Sequence, residues 1–103
     1  MTLIPTRQRR RPPSRRSAEA EVFEFDGQKY RAALGRFPDS GAPAEIFIDA
    51  VGKAGSAIQQ HVETAAILVS LLLQHGVALD AIKHSIGGPI KRALDLFDEE
   101  GRR

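Results

Sequence analysis

The chain has 103 residues, of which 42% are hydrophobic and 27% are charged, a composition typical of one small folded domain. It contains no cysteine, which excludes a disulfide framework, a thiolate metal site, a thiol nucleophile and a dithiol redox pair built from its own residues. The formal net charge is only +2, but the charges are distributed unevenly along the chain.

The first sixteen residues carry the positive charge. They contain six arginines and no acidic residue, so their net charge is +6, whereas the nine basic and thirteen acidic residues of the remainder leave −4. The six are Arg7, Arg9, Arg10, Arg11, Arg15 and Arg16. Three prolines and a lack of residues to bury accompany them, so we predict a disordered tail over residues 1–17 and a folded domain over residues 18–100.

Three strands are predicted at the start of the folded part. Alternating apolar residues at 21–25 predict the first strand, and Asp26-Gly27 is typical of the tight turn of a hairpin whose second strand spans residues 29–37. After a loop rich in proline and glycine, Glu45–Asp49 predicts a third strand. We expect the carboxylates of Glu45 and Asp49 on the solvated face of the sheet, too far apart to act on one bond.

Three helices are predicted to follow. Ser56 and Gln59 have the spacing of a capping box, and apolar residues then recur at helical spacing until Gly76. The second half of this helix is apolar almost all round, so we expect the sheet to cover one side and another element the other. Shorter helices at residues 79–86 and 90–97 complete a β-β-β-α-α-α order, an α+β fold with a three-stranded, mostly antiparallel sheet.

The segment Gly52–Ser56 connects the third strand to the long helix. Backbone N–H groups at a helix start attract anions and a lysine adds charge, so Lys53, Gly55 and Ser56 are candidate anion- or nucleotide-binding residues. The spacing is not that of a Walker A loop. A flexible turn followed by a helix cap is the alternative interpretation.

Neither a metal site nor a catalytic residue is predicted. His61, His75 and His84 are 14 and 9 residues apart, which matches no local metal motif, so we expect surface or capping roles. The arginines of the tail are candidate nucleic-acid contacts, because clustered cations bind phosphate backbones by releasing counterions. No aromatic residues are interleaved with them for base stacking, and a solvated tail without a binding role is the alternative.

Several short motifs resemble the TSCPD domain. They are Arg36-Phe37-Pro38-Asp39, Ala44–Asp49, Lys53–Ser56, Ala65–Leu73 leading into Gln74–Val77, Gly88-Pro89-Ile90 and Arg92–Leu96. The resemblance covers roughly residues 21–98. This domain occurs near the C-terminus of adenosylcobalamin-dependent (class II) ribonucleotide reductases and in short free-standing proteins. The resemblance therefore implies a link to deoxyribonucleotide synthesis.

The same resemblance implies little chemistry for this chain itself. Full-length reductases use adenosylcobalamin and a pair of reducing cysteines, whereas this chain has no cysteine and lacks the Thr-Ser-Cys-Pro-Asp element that names the domain. No catalytic residue can be carried over, adenosylcobalamin is implied only for a full-length relative or partner, and enzymatic activity stays an open question.

We therefore expect an accessory domain of the ribonucleoside-diphosphate reductase family that is non-catalytic by itself. It would dock on a reductase catalytic subunit or pair as a homodimer, because a three-stranded sheet is near the minimum for independent stability. The alternative is a small nucleic-acid-binding protein that uses the arginine-rich tail. No apolar stretch is long enough to span a bilayer, and the basic residues at the N-terminus are not followed by the apolar stretch that a secretory signal needs, so we expect a cytoplasmic protein without membrane contact.

Overall fold

The computed structural model describes residues 8–13 and 18–101, and in this part of the chain a three-stranded sheet is followed by three helices. The elements are β1 (Ala18–Phe25), β2 (Gln28–Arg36), β3 (Pro43–Ala50), α1 (Ala57–Gln74), α2 (Leu79–Ser85) and α3 (Gly88–Gly101). The strands are antiparallel and adjacent in chain order. The predicted α+β fold and its β-β-β-α-α-α order are confirmed.

β1 and β2 form a hairpin with a two-residue turn. Asp26 (φ 51°) and Gly27 (φ 79°) both adopt the left-handed conformation that a type I′ turn requires. The pairing extends to Ala18 opposite Gly35, so β1 begins earlier than residue 21, where the alternation of apolar residues placed it.

One face of the sheet forms the hydrophobic core with the helices. Its buried side chains include Tyr30, Ala32, Leu34, Ile46, Ile48 and Ala50. α1 packs against β3, whereas α3 packs against β1 and β2. Ile90, Leu94 and Phe97 are buried on α3, as their helical spacing predicts.

The start of α1 contains half of the predicted capping box. Ser56 Oγ accepts a hydrogen bond from the backbone N–H of Gln59 at 3.2 Å. The Gln59 side chain does not bond back to Ser56, because its Oε1 instead accepts from the N–H of Ala50 at 2.7 Å. The glutamine therefore connects the helix to β3.

The end of α1 is a Schellman motif. His75 is the C-cap and Gly76 has a φ of 84°. The N–H of Gly76 donates to the carbonyl of Leu73 at 3.0 Å. The N–H of Val77 donates to the carbonyl of Leu72 at 3.0 Å. The predicted end of the helix at Gly76 is confirmed.

Side chains of α1 close the outer edge of β3. Besides the Gln59 bond, Ser70 Oγ accepts from the N–H of Ile46 at 2.9 Å and donates to the carbonyl of the same residue at 3.1 Å. Gln74 Nε2 donates to the carbonyl of Ala44 at 3.0 Å. These bonds occupy edge groups that could otherwise pair with another strand, so β1 is the open edge of the sheet within the described part of the chain.

α1 is covered on one side only, which contradicts the prediction of cover on both sides. Val62, Ala66 and Val69 are buried against the core, whereas 61% of Ile67 and 56% of Leu68 are exposed. The reason is that α3 packs on the sheet at β1 and β2, beside α1 and in the same layer. No described element lies over the outer side of α1.

Candidate functional site

Two of the predicted tail arginines contact the folded domain. Arg9 Nε donates to Gln74 Oε1 at 2.6 Å, and the backbone N–H of Arg10 donates to the carbonyl of Gln74 at 2.8 Å. The Arg10 guanidinium lies 2.7 Å from the Asp39 carboxylate and 4.1 Å from the centre of the Phe37 ring. Residues 9 and 10 are thus held between the end of α1 and the loop that connects β2 to β3.

The Arg10 site combines an apolar surface with an ion pair. Phe37 is 5% exposed, while the side chains of Arg10 and Asp39 are 52% and 64% exposed. The hydrogen bond from the Arg10 guanidinium lowers the pKa of Asp39 below its ordinary value; desolvation opposes this effect, and the charge of Arg10 adds to the lowering. An open cavity of about 360 Å³ lies beside the pair and is also lined by Gln74 and Val77.

Of the other four predicted arginines, the structure describes only one. Arg11 is exposed, whereas Arg7, Arg15 and Arg16 lie outside the described residues. The predicted domain boundary, the predicted disorder and the nucleic-acid contacts all stay predictions. Residues 8–13 nevertheless include two arginines that contact the domain, which a proline- and arginine-rich composition did not indicate.

The predicted anion-binding loop is an ordered turn before α1. The N–H of Lys53 donates to the carbonyl of Ala50 at 3.1 Å, and Ser56 Oγ donates to the carbonyl of Lys53 at 2.5 Å. Lys53 and Gly55 are exposed, and Ser56 is partly buried. The hydroxyl of Ser56 serves the turn and the helix cap.

An open cavity of about 390 Å³ lies beside this loop, and most of its charged lining is acidic. It is lined by Arg31, Asp49, Gln59, Glu63 and loop residues that include Gly55 but not Lys53. Gln59 Nε2 donates to Asp49 at 2.9 Å and to Glu63 at 2.6 Å, which holds two carboxylates at the cavity. Negative charge disfavours an anion there, so the nucleotide-binding prediction has no support from the local charge and stays a prediction.

Glu45 does not lie on a solvated face, which corrects the prediction for this residue. It is 6% exposed, whereas Phe47, two residues further along the same face of β3, is 52% exposed. Glu45 pairs with the buried Gly35, next to an irregular step in the pairing between Gly35 and Arg36. This corner of the outer face is covered, although the rest of that face is exposed.

The histidines do not converge. His61 is exposed, His75 Nδ1 lies 2.8 Å from the carbonyl of Leu71, and His84 Nδ1 lies 2.7 Å from the carbonyl of Asp80. Among residues 8–13 and 18–101, no three His, Asp or Glu side chains are grouped so as to hold a metal ion.

The outer side of the second half of α1 is an uncharged apolar surface. Ile67, Leu68 and Leu72 are 61%, 56% and 43% exposed, and Leu71 is partly buried beside them. We call these four residues the α1 stripe. Contiguous exposed apolar side chains of this kind mark interaction sites more often than isolated ones do.

None of the helices in the described part of the chain combines the length and the apolar character that crossing a membrane requires.

A family model of the TSCPD domain matches residues 6–93. The chain belongs to the TSCPD domain family. The matched region of this TSCPD domain begins within residues 1–16, which we call the arginine-rich segment. It includes Arg9 and Arg10 as well as their contacts Phe37, Asp39 and Gln74.

The TSCPD domain also resembles part of much larger enzymes. It is 38% identical over 78 residues to the vitamin B12-dependent ribonucleotide reductase of Bradyrhizobium diazoefficiens, and the alignment covers 76% of this chain and 6% of that reductase. It is 37% identical over 75 residues to the vitamin B12-dependent ribonucleotide reductase of Agrobacterium fabrum, covering 73% of this chain and 6% of that reductase. The chain thus spans about 6% of the length of these relatives. No solved structure matches the chain.

Proposed function

We propose that this TSCPD domain is an accessory domain of ribonucleotide reduction that performs no chemistry by itself and docks on a reductase protein. The proposal rests on the α1 stripe, which is an exposed apolar surface. The relatives that this domain matches are reductases, and the matched region is a small part of each of them. An exposed apolar surface of this kind would bind such a partner through hydrophobic contacts.

The chemistry of the stripe defines the partner surface that would fit it. No Asp, Glu, Lys or Arg occurs between Glu63 and Asp80, so the helix itself places no charged side chain on the stripe. A helix of this kind docks by placing its apolar face in an apolar groove. Each large aliphatic side chain that becomes fully buried contributes roughly 1.5–3 kcal/mol. The expected contact is therefore hydrophobic and insensitive to salt.

The test is a pull-down of the tagged chain from an extract of its own cells, with and without nuclease. Leu68→Glu places a charge on the α1 stripe, whereas Val22→Glu places the same charge on β1, at a residue that is also 56% exposed. We expect wild type and Val22→Glu to recover a ribonucleotide reductase polypeptide and Leu68→Glu to lose it. Circular dichroism confirms that the variants are folded.

Other outcomes contradict the proposal and indicate a different binding partner. If no reductase is recovered, or if Leu68→Glu recovers as much reductase as wild type, the α1 stripe is not a docking surface for a reductase. Recovery that disappears with nuclease favours nucleic-acid binding by the arginine-rich segment. A fall in the molar mass of the isolated chain on Leu68→Glu, measured by light scattering, assigns the stripe to a second copy of the chain.

A further inference from the structure

We infer that Arg10, Phe37, Asp39 and Gln74 form a latch that holds the arginine-rich segment on the domain, and that phosphate-bearing polyanions open it. We call these four residues the arginine latch. Its contacts are the backbone bond from Arg10 to Gln74, the ion pair with Asp39 and the stacking of the guanidinium on Phe37. None of them belongs to the α1 stripe, so the inference does not depend on the proposed docking.

The latch recognises an arginine in particular. A guanidinium is planar and can lie on an aromatic ring while its N–H groups point to a carboxylate in the ring's surroundings, which a lysine ammonium cannot do as well. The backbone bond at 2.8 Å sets the position of residue 10, and the bond from Arg9 to the Gln74 side chain at 2.6 Å supports it. The domain thus provides a binding site for the side chain of Arg10, which belongs to the arginine-rich segment of the same chain.

A polyanion competes for the same guanidinium. Asp39 occupies the position that a phosphate oxygen would take on Arg10, and both side chains are more than half exposed, so the pair can exchange with solvent ions. Arg9, Arg10 and Arg11 are consecutive, so a phosphodiester chain can contact several of them and release several counterions. One carboxylate offers a single contact. A polyanion therefore displaces Asp39, and the closed latch weakens the binding of the polyanion.

The first experiment measures the affinity of a fluorescent oligothymidylate for the full chain at low salt. Asp39→Asn removes the carboxylate of the latch, and we expect affinity to rise about two- to fivefold relative to the control, the range that an exposed ion pair allows. The control is Asp26→Asn, which makes the same charge change at the hairpin turn, where asparagine tolerates the positive φ. Arg10→Lys keeps the charge and loses the stacking, so we expect it to bind at least as tightly as wild type.

The second experiment follows the latch itself by NMR titration of the ¹⁵N-labelled full chain. On addition of the oligothymidylate, the side-chain amide of Gln74 and the N–H of Asp39 should move towards their positions in Arg10→Ala. Unchanged signals at these groups while the arginine signals shift would overturn the inference. So would equal affinities of Asp39→Asn and Asp26→Asn, or no detectable binding by any variant at low salt.

Discussion

The carboxylate of Asp39 forms one of the contacts between the N-terminal segment and the domain. Its pKa is lowered chiefly by the hydrogen bond from Arg10, and both side chains are largely in water. A carboxyl group whose folded-state pKa is lowered stabilises the folded contact fully above its ordinary pKa of about 3.9. That stabilisation is lost as the pH falls through the lowered pKa. The ion pair is therefore intact at neutral pH and breaks in acid.

Removing the Arg10 guanidinium tests this assignment at a single residue. In Arg10→Ala we expect the pKa of Asp39 to rise towards the ordinary carboxyl value, because its main hydrogen-bond donor and nearest positive charge are gone. Carboxyl ¹³C chemical shifts measured across acid pH in wild type and variant give the two values. An identical pKa in both chains would contradict the contact seen between these residues.

Ser70 is a second residue whose role is specific to the folded chain. It interrupts an apolar run, and its hydroxyl bonds to both the N–H and the carbonyl of Ile46 on the edge of β3. Without it, both edge groups lose their partner in a partly buried position. We expect Ser70→Ala to lower the free energy of unfolding by about 1–3 kcal/mol.

Urea unfolding followed by circular dichroism measures this loss. Thr64→Ala is the matched control, since it also removes a hydroxyl from α1 but from an exposed position. We expect the control to change the stability by less than about 0.5 kcal/mol. If the two substitutions had equal effects, the hydroxyl of Ser70 would not be what stabilises the contact between α1 and β3.

At the scale of elements, a lysine connects the two short helices. Lys83 Nζ of α2 lies 3.0 Å from Asp95 and 2.9 Å from Asp98 on α3. Hydrogen bonds to Asp98 and then Asp95 raise the pKa of Lys83. Burial raises the pKa of Asp95, but the hydrogen bonds and charges of Lys91 and Lys83 outweigh it and lower that pKa overall. The acidic end of α3 is thus partly neutralised by α2.

We expect Lys83→Met to lower the free energy of unfolding by about 1 kcal/mol at neutral pH, since the network is partly exposed. The effect should be full between the ordinary pKa values of aspartate and lysine, about 3.9 and 10.4. It should shrink as the pH falls through the lowered pKa of Asp95, and also as the pH rises through the raised pKa of Lys83.

The measurement is urea unfolding of wild type and Lys83→Met at neutral and acid pH, with the exposed Lys53→Met as control. A stability difference that is as large in acid as at neutral pH would show that the packing of the lysine stem, rather than its charge, joins the two helices.

At the scale of the whole molecule, the helices form one layer on one face of the sheet, and the two proposed surfaces involve different residues of it. The α1 stripe lies on the outer side of that layer, and the arginine latch lies at the C-terminal end of α1. We therefore expect a protein partner to contact the α1 stripe and a polyanion to contact the arginines, which are different residues of the molecule.

The candidate surfaces were only partly predictable from the sequence. The arginines and the apolar excess of α1 are compositional signals, and both were found. The contact of Arg10 with Phe37 and Asp39 was not, because these residues are more than twenty positions apart and meet only once α1 and the sheet have packed. The Gly52–Ser56 loop was singled out for its local chemistry, but its surroundings depend on Glu63, nearly two turns into the helix.

The sequence by itself determined the elements that rest on local chemistry. The turn at Asp26-Gly27 and the end of α1 at Gly76 follow from residues that tolerate positive φ, and the alternation of Ile46 and Ile48 follows from the period of a strand. Only the tertiary structure decided the partner of Gln59 and the exposure of Leu68. A side chain bonds to the edge of a strand only where that edge lies beside it, and an apolar residue is buried only where another element covers it.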